Sequence, residues 1–153
     1  MKYSIVLPCR NEQAAIALCI KNIKQTMNKA GIKDYEIIVS DSSSDNSPKI
    51  AKELGARVIK HNKEGYGIAY LEGFKAAKGK YIICMDADGS YDFNEIPKFI
   101  KYLNKEYDFV IGNRFRGKIE KQAMPLLHRY VGSPVLSAIL RLFFKAKIHD
   151  AAS

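Results

Sequence analysis

No run in this sequence approaches the roughly 18 to 20 apolar residues that a membrane-spanning helix requires. The start, Met1 to Glu12, meets proline and charge too early to serve as a signal peptide, so the chain as read is soluble. Pro-rich, Gly-rich, low-complexity and repeated stretches are also missing, which removes any linker at which 153 residues would divide and leaves one domain with a core of its own. Cysteine is scarce: Cys9, Cys19 and Cys84 are an odd number without paired spacing. That excludes a disulfide framework and favours buried, reduced thiols in a cytosolic compartment. Acidic residues are few in the last third, where eleven Lys and Arg between Lys98 and His149 face three acids and hold most of the net charge of +9. Such a surface meets solvent or an anionic partner: nucleic acid, a membrane surface or a phosphorylated substrate. No nucleic-acid recognition module accompanies the charge, so nucleic acid is not an expected partner.

What is present alternates. Tyr3–Leu7, Tyr35–Val39, Arg57–Ile59, Tyr81–Met85 and Phe109–Ile111 are short apolar runs that predict strands buried on both faces. Between them Ile16, Ile20, Ile23 and Met27, and later Ile96, Phe99, Ile100 and Leu103, recur at helical spacing. Ser47-Pro48 predicts a helix start with a capping hydroxyl, and Gly55 its end. Strand and helix in turn, with short connections, predict an α/β fold: a parallel sheet flanked by helices on both faces.

Ligands of such sheets gather beyond the carboxyl ends of the strands. The first run is followed by Pro8-Cys9-Arg10-Asn11-Glu12, the second by Ser40 to Ser47, the fourth by Asp86-Ala87-Asp88-Gly89-Ser90 and the fifth by Gly112-Asn113-Arg114-Phe115-Arg116. Any one of these is explained as a turn or a helix cap. Four on one edge point to a nucleotide or phosphate site. Asp86 and Asp88, one residue apart after a β-branched run, repel each other, and a hard divalent cation removes the conflict. Mg²⁺ or Mn²⁺ accepts one or two carboxylates and completes its shell with water and diphosphate oxygens. His61, His128 and His149 show no metal-ligand spacing and are read as loop or surface residues.

Taken in order, Pro8-Cys9-Arg10-Asn11-Glu12, Asp41-Ser42-Ser43-Ser44-Asp45, Gly65-Tyr66-Gly67 with Gly73 and Ala77-Lys78-Gly79, Asp86 to Asp92 and Gly112-Asn113-Arg114-Phe115 resemble the signatures of family 2 inverting glycosyltransferases of the GT-A fold. The likeness is strongest to the branch of dolichyl-phosphate mannose synthase and polyprenyl-phosphate glycosyltransferases, and it covers nearly the whole chain. It implies a Rossmann-like GT-A domain over 1–153, the nucleotide-sugar-binding part of a longer protein cut short at its C-terminal end. Pro8, Arg10 and Glu12 would hold the nucleoside and Asp41 its base. Asp88 would be the principal metal ligand, with Asp86 and Ser90 beside it. Arg114 and Arg129 would meet phosphate groups, and Asp150 would act as base or position the acceptor. Ser40, Ser42 and Ser90 depart from the commoner residues at their positions.

The implied activity is metal-dependent, inverting transfer of a sugar from a nucleoside-diphosphate sugar to a polyprenyl or dolichyl phosphate, at the cytoplasmic face of a membrane. An already ionised phosphate acceptor would need no general base, whereas a hydroxyl would. A hydroxyl acceptor and a noncatalytic nucleotide-sugar binder are the alternatives. A nucleotidyltransferase would show a Gly-rich basic loop after the first strand, which Pro8 to Glu12 lacks. The stretch Val135 to Phe144, with Arg141, Lys145 and Lys147 beside its apolar residues, suits either core packing or peripheral contact with an anionic membrane.

Overall fold

The structure, a computed structural model, describes residues 1–105, 107–112 and 131–144. The chain forms two compact units, Met1–Glu106 and Tyr107–Ser153. In the first unit the predicted alternation is present as β1 (Tyr3–Cys9), α1 (Ile16–Lys29), β2 (Tyr35–Asp41), α2 (Ser47–Glu53), β3 (Arg57–Lys60), α3 (Tyr66–Ala76), β4 (Tyr81–Cys84), a 3₁₀ turn (Phe93–Glu95) and α4 (Ile96–Leu103). In the second, described residues form α5 (Ser133–Phe144).

The four strands are parallel, in the order β3-β2-β1-β4. Chain order and sheet order together fix where the helices go. From β1 through β2 to β3 the chain steps in one direction, and then α3 carries it back across the sheet to β4. Right-handed crossovers therefore put α3 on the face opposite α1 and α2. The sheet is consequently buried from both sides: Ile5, Val6, Leu7, Ile38 and Val39 have no solvent exposure. The stripe of α1 is buried as its spacing predicts, with Ile16, Ile20, Ile23 and Met27 fully covered. Each such side chain contributes about 1.5–3 kcal/mol of burial energy.

On its side of the sheet α3 approaches unusually closely, because the residues it buries are Ala69 and Gly73. A Cβ on Gly73 would lie 2.4 Å from Val6 Cγ1, so β1 and α3 meet at a distance only glycine allows.

Three expectations change. Phe109–Ile111 forms no strand, and Phe109 is largely exposed. An apolar β-branched run becomes a strand only where it enters a ladder, and among the described residues Phe109–Ile111 enter none. Ser47 does not cap α2: its hydroxyl donates to Asp45 Oδ1 and accepts the Glu12 amide, tying the loop after β2 to the loop after β1. Cys9 and Cys19 are buried free thiols as expected, but Cys84, on the last strand of the sheet, is exposed. His61 lies in the loop after β3, as expected, half-buried with Nε2 3.2 Å from Ser40 Oγ. Among the described residues no helix is long and apolar enough to cross a membrane.

Candidate functional site

The strand order reverses between β1 and β4, since β1 leads away toward β2 and β4 is reached from the other side. At such a point adjacent loops diverge and leave a crevice at the carboxyl edge. Pro8 marks the divergence. Val6 O accepts the Met85 amide, so the even-numbered residues of β1 turn their backbone groups toward β4, and the ladder ends at Val6 with Cys84. The N–H that Pro8 lacks therefore falls where no partner strand remains.

The cleft there measures about 330 Å³ and is lined by Pro8, Cys9, Arg10 and Glu12 from the β1 loop, Ser42 from the β2 loop, Gly65, Tyr66 and Ala69 at the start of α3, and Asp86 to Asp88 after β4. A larger groove of about 570 Å³, lined by Lys2, Tyr3, Ile32, Pro97 and Asn104 among others, takes in none of the polar clusters that follow the strands.

Two loops are interlocked to make the cleft floor. Asn11 adopts φ 60°, a left-handed conformation that asparagine tolerates better than most residues. There its amide donates to Ser43 Oγ at 2.8 Å and its Oδ1 accepts the Ser44 amide at 2.9 Å. The Gln13 amide donates to Asp45 Oδ2 at 3.1 Å. The serines that stand after β2 are thus tied across to the β1 loop.

Charge in the cleft is mostly negative. Burial, and then the carboxylates of Asp88, Asp45 and Asp86, raise the Glu12 carboxyl above its ordinary range. Arg10, the cation among the lining residues, is bound to Glu64 at 2.8 Å. Asp86 is half-buried and Asp88 exposed, while Met85 before the pair and Ala87 between its members are buried in the core. The pair is therefore presented to the cleft rather than buried, and mutual repulsion, not burial, is the cost that a cation relieves. Asp88 Oδ1 accepts the Ser90 amide at 2.9 Å, in a turn for which Gly89 supplies φ 82°. Asp86 Oδ1 accepts from the hydroxyls of Tyr66 at 2.7 Å and Tyr70 at 3.1 Å. Each aspartate is held by one oxygen. The second oxygen of each accepts no hydrogen bond among the described residues.

Asp41 is placed differently from the others. Its side chain has no exposure; Oδ2 pairs with Lys60 Nζ at 2.8 Å and Oδ1 accepts the Ser43 amide at 3.3 Å. It supports the Ser42–Ser43 turn and does not itself line the cleft. Arg114, Arg129 and Asp150 lie outside the described residues, as do His128, His149, Lys145 and Lys147. The structure thus brings together Pro8, Arg10, Glu12, Asp86 and Asp88, with Ser90 beside them. It adds Tyr66, Tyr70 and Lys60, which no motif singled out as site residues. The sequence signal for the tyrosines was faint: two aromatics four residues apart at the start of a helix that lacks an apolar stripe.

Residues 4–153 match the sequence profile of Glycosyl transferase family 2. The chain belongs to that family. Among curated relatives of this family 2 chain, the low-salt glycan biosynthesis hexosyltransferase Agl6 of Haloferax volcanii is 42% identical over 98% of the chain and 36% of its own length. A dolichyl-phosphate hexose transferase of the same organism is 29% identical over 98% of the chain and 63% of its own length. The chain therefore spans between about a third and just under two thirds of these two relatives. Among solved structures, glucosyl-3-phosphoglycerate synthase from Mycobacterium tuberculosis, in complex with Mn²⁺, uridine diphosphate and glucosyl-3-phosphoglycerate, superposes with TM-score 0.58 at 29% identity, covering 67% of this chain and 39% of that one. Mannosyl-3-phosphoglycerate synthase from Rubrobacter xylanophilus superposes with TM-score 0.56 at 25% identity, over 63% of this chain and 33% of that one. Its neighbours are GT-A glycosyltransferases, so the family 2 chain carries the parallel sheet and flanking helices of the GT-A fold.

Proposed function

We propose that this chain is the donor-binding part of an inverting glycosyltransferase that moves a hexose from a nucleoside-diphosphate sugar, of the GDP-mannose or UDP-glucose type, to a polyprenyl or dolichyl phosphate. The observation that carries the reading is the pair Asp86 and Asp88 at the sheet's switch point, each held by one oxygen and offering the other beside a cleft of about 330 Å³. The kinship to a dolichyl-phosphate hexose transferase supports the lipid-phosphate acceptor and with it peripheral contact with a membrane.

The residues fit a divalent ion. The donors are hard oxygens, and among the described residues no three His, Cys, Asp or Glu cluster closely enough to form a complete protein cage. Two carboxylates with the rest of the shell left to water and diphosphate suit Mg²⁺ or Mn²⁺. Asp88 and Asp86 would hold the ion, with Ser90 as a further oxygen. When bound, it would neutralise charge on the departing nucleoside diphosphate. The structural neighbour that contains Mn²⁺ and uridine diphosphate supports this choice.

The protein's own groups divide the remaining work. Pro8 and the interlocked β1 and β2 loops give the nucleoside a rigid floor. Arg10, released from Glu64, faces the diphosphate as an electrostatic partner for charge that grows as the sugar–phosphate bond breaks. Glu12 bounds the ribose side. Asp41 reaches a base only by exchanging Lys60 and the Ser43 amide; as placed it holds the turn that carries Ser42. Arg114, Arg129 and Asp150 retain their proposed phosphate-binding and acceptor roles. The acceptor oxygen attacks the anomeric carbon from the face opposite the diphosphate, which inverts it in one step and leaves no sugar on the protein.

Titration calorimetry of the chain with UDP-glucose and GDP-mannose, with and without Mn²⁺, tests the reading. Binding of one donor that requires the metal and vanishes in Asp88→Asn is expected; metal-independent binding, or unchanged affinity in Asp88→Asn, refutes it. A hydroxyl acceptor is the second reading, supported by the neighbour whose structure holds glucosyl-3-phosphoglycerate. Product formed with a short-chain polyprenyl phosphate decides for the lipid, and product only with phosphoglycerate or a sugar hydroxyl decides against it.

A further inference from the structure

Both Tyr66 and Tyr70 direct their hydroxyls at a single carboxylate oxygen, Asp86 Oδ1, from 2.7 and 3.1 Å. Their rings stand edge to face, with centroids 5.0 Å apart, and Tyr70 continues the row onto Phe74 at 5.7 Å. Burial of Tyr66 is not the reason for the arrangement, because that residue is 61% exposed. A phenol that is mostly in water and still satisfies an acid in the neighbouring loop is placed for its hydroxyl. Two donors on one oxygen fix the plane of the carboxylate and leave Oδ2 as the acceptor still to be used. Asp88 is held likewise through Oδ1, but by the Ser90 amide of its own loop. The two aspartates therefore answer to different parts of the fold: Asp88 to the β4 loop, Asp86 to α3.

We propose that Tyr66 and Tyr70 are positioning residues that aim Asp86 at the metal-bound donor, so that docking of α3 against the sheet sets the geometry of one of the two acidic ligands. This rests on the donor-site reading above. Neither phenol needs to touch the donor; each acts by removing the rotational freedom of Asp86, and the loss of both costs donor affinity only while Asp86 is there to be aimed.

The test is a double-mutant cycle on the whole chain, read by calorimetric titration of UDP-glucose or GDP-mannose in Mn²⁺. Tyr66→Phe/Tyr70→Phe should weaken donor binding about tenfold, as the loss of hydrogen bonds to a charged group predicts. It should also raise the Mn²⁺ concentration needed for half-maximal donor binding, a readout that ring packing alone would not move. In an Asp86→Ala background the same two changes should have no further effect. Tyr66→Phe alone, at an exposed position, should show part of the loss with an unaltered melting temperature, which separates positioning from misfolding. Wild-type affinity in the double phenylalanine variant overturns the proposal, as does an equal loss in the Asp86→Ala background. Full affinity in Asp86→Ala itself would bring down the donor-site reading as well, whereas loss in Asp86→Ala with none in the phenylalanine variants refutes the positioning role alone.

Discussion

Gly73→Ala is the substitution whose outcome the structure most sharply constrains. The added methyl would sit 2.4 Å from Val6 Cγ1 and 3.5 Å from Ser40 Cβ, where carbon atoms ordinarily stop at about 3.5–4.0 Å. Val6 is fully buried on β1, an interior strand between β2 and β4, and its branched side chain has few rotamers to escape into. The overlap of about 1 Å is therefore relieved mainly by moving α3 outward. Overpacking of this kind costs about 1–3 kcal/mol, and alanine's better helix propensity returns about 1. A net loss of up to about 2 kcal/mol follows, or a drop of up to about 8 °C in melting temperature for a chain of this size. The same outward shift acts at the site, because Tyr66 and Tyr70 lie on the displaced helix and their bonds to Asp86, now 2.7 and 3.1 Å, would stretch past the hydrogen-bond limit. Urea unfolding and donor titration should both report the change. Adding Val6→Ala removes Cγ1; it should restore donor binding relative to Gly73→Ala while the cavity lowers stability. A Gly73→Ala protein as stable as the wild type, with undiminished donor binding, would refute the close-packing argument.

Other perturbations have equally definite expectations. Asp88→Asn should abolish Mn²⁺-dependent donor binding at an unchanged melting temperature, since Asp88 is exposed and its held oxygen survives as an amide oxygen. Glu64→Gln should free Arg10 and strengthen donor binding by up to about fivefold at low salt, an effect that fades as ionic strength rises; weaker binding would show that Glu64 positions Arg10 rather than occupies it. At the opposite end of the sheet, burial raises the Glu36 carboxyl, but bonds from Ser4 and Arg57 and the Lys78 amide outweigh it and leave the carboxyl below its ordinary value. A depressed value means that Glu36 stabilises the fold above the ordinary glutamate range, near pH 4.5, and that this contribution is lost as pH falls through the lowered value. Glu36→Gln should therefore cost about 2–3 kcal/mol at neutral pH and progressively less in acid; a penalty independent of pH would contradict the linkage.

Much of this architecture is legible in the sequence. Ile16, Ile20, Ile23 and Met27 are buried because one stripe of a helix covers the sheet, and a periodic stripe is a local pattern. Asp86 and Asp88 were legible for the same reason, as charges that interrupt a β-branched run at its carboxyl end. α3 escaped the periodic reading because its buried face is Ala69 and Gly73, chosen for closeness of approach and not for hydrophobic bulk. Phe109–Ile111 misled in the opposite way, with strand composition but no ladder among the described residues. Lys60 could not be tied to Asp41 from the sequence, although β2 and β3 set the two residues directly abreast.

By itself the sequence determined which segments are strands and helices over most of the first unit, and that acidic and polar side chains leave the strands at one edge, because alternation, periodicity and motif order are properties of neighbours along the chain. Only the tertiary structure decided that β1 and β4 part at Pro8 to open the cleft, that Asp41 is spent on Lys60, and that two tyrosines sixteen and twenty residues before Asp86 converge on one of its oxygens. Those outcomes depend on strand order, register and the depth at which α3 packs, and each is set by residues far apart in the chain meeting across the sheet.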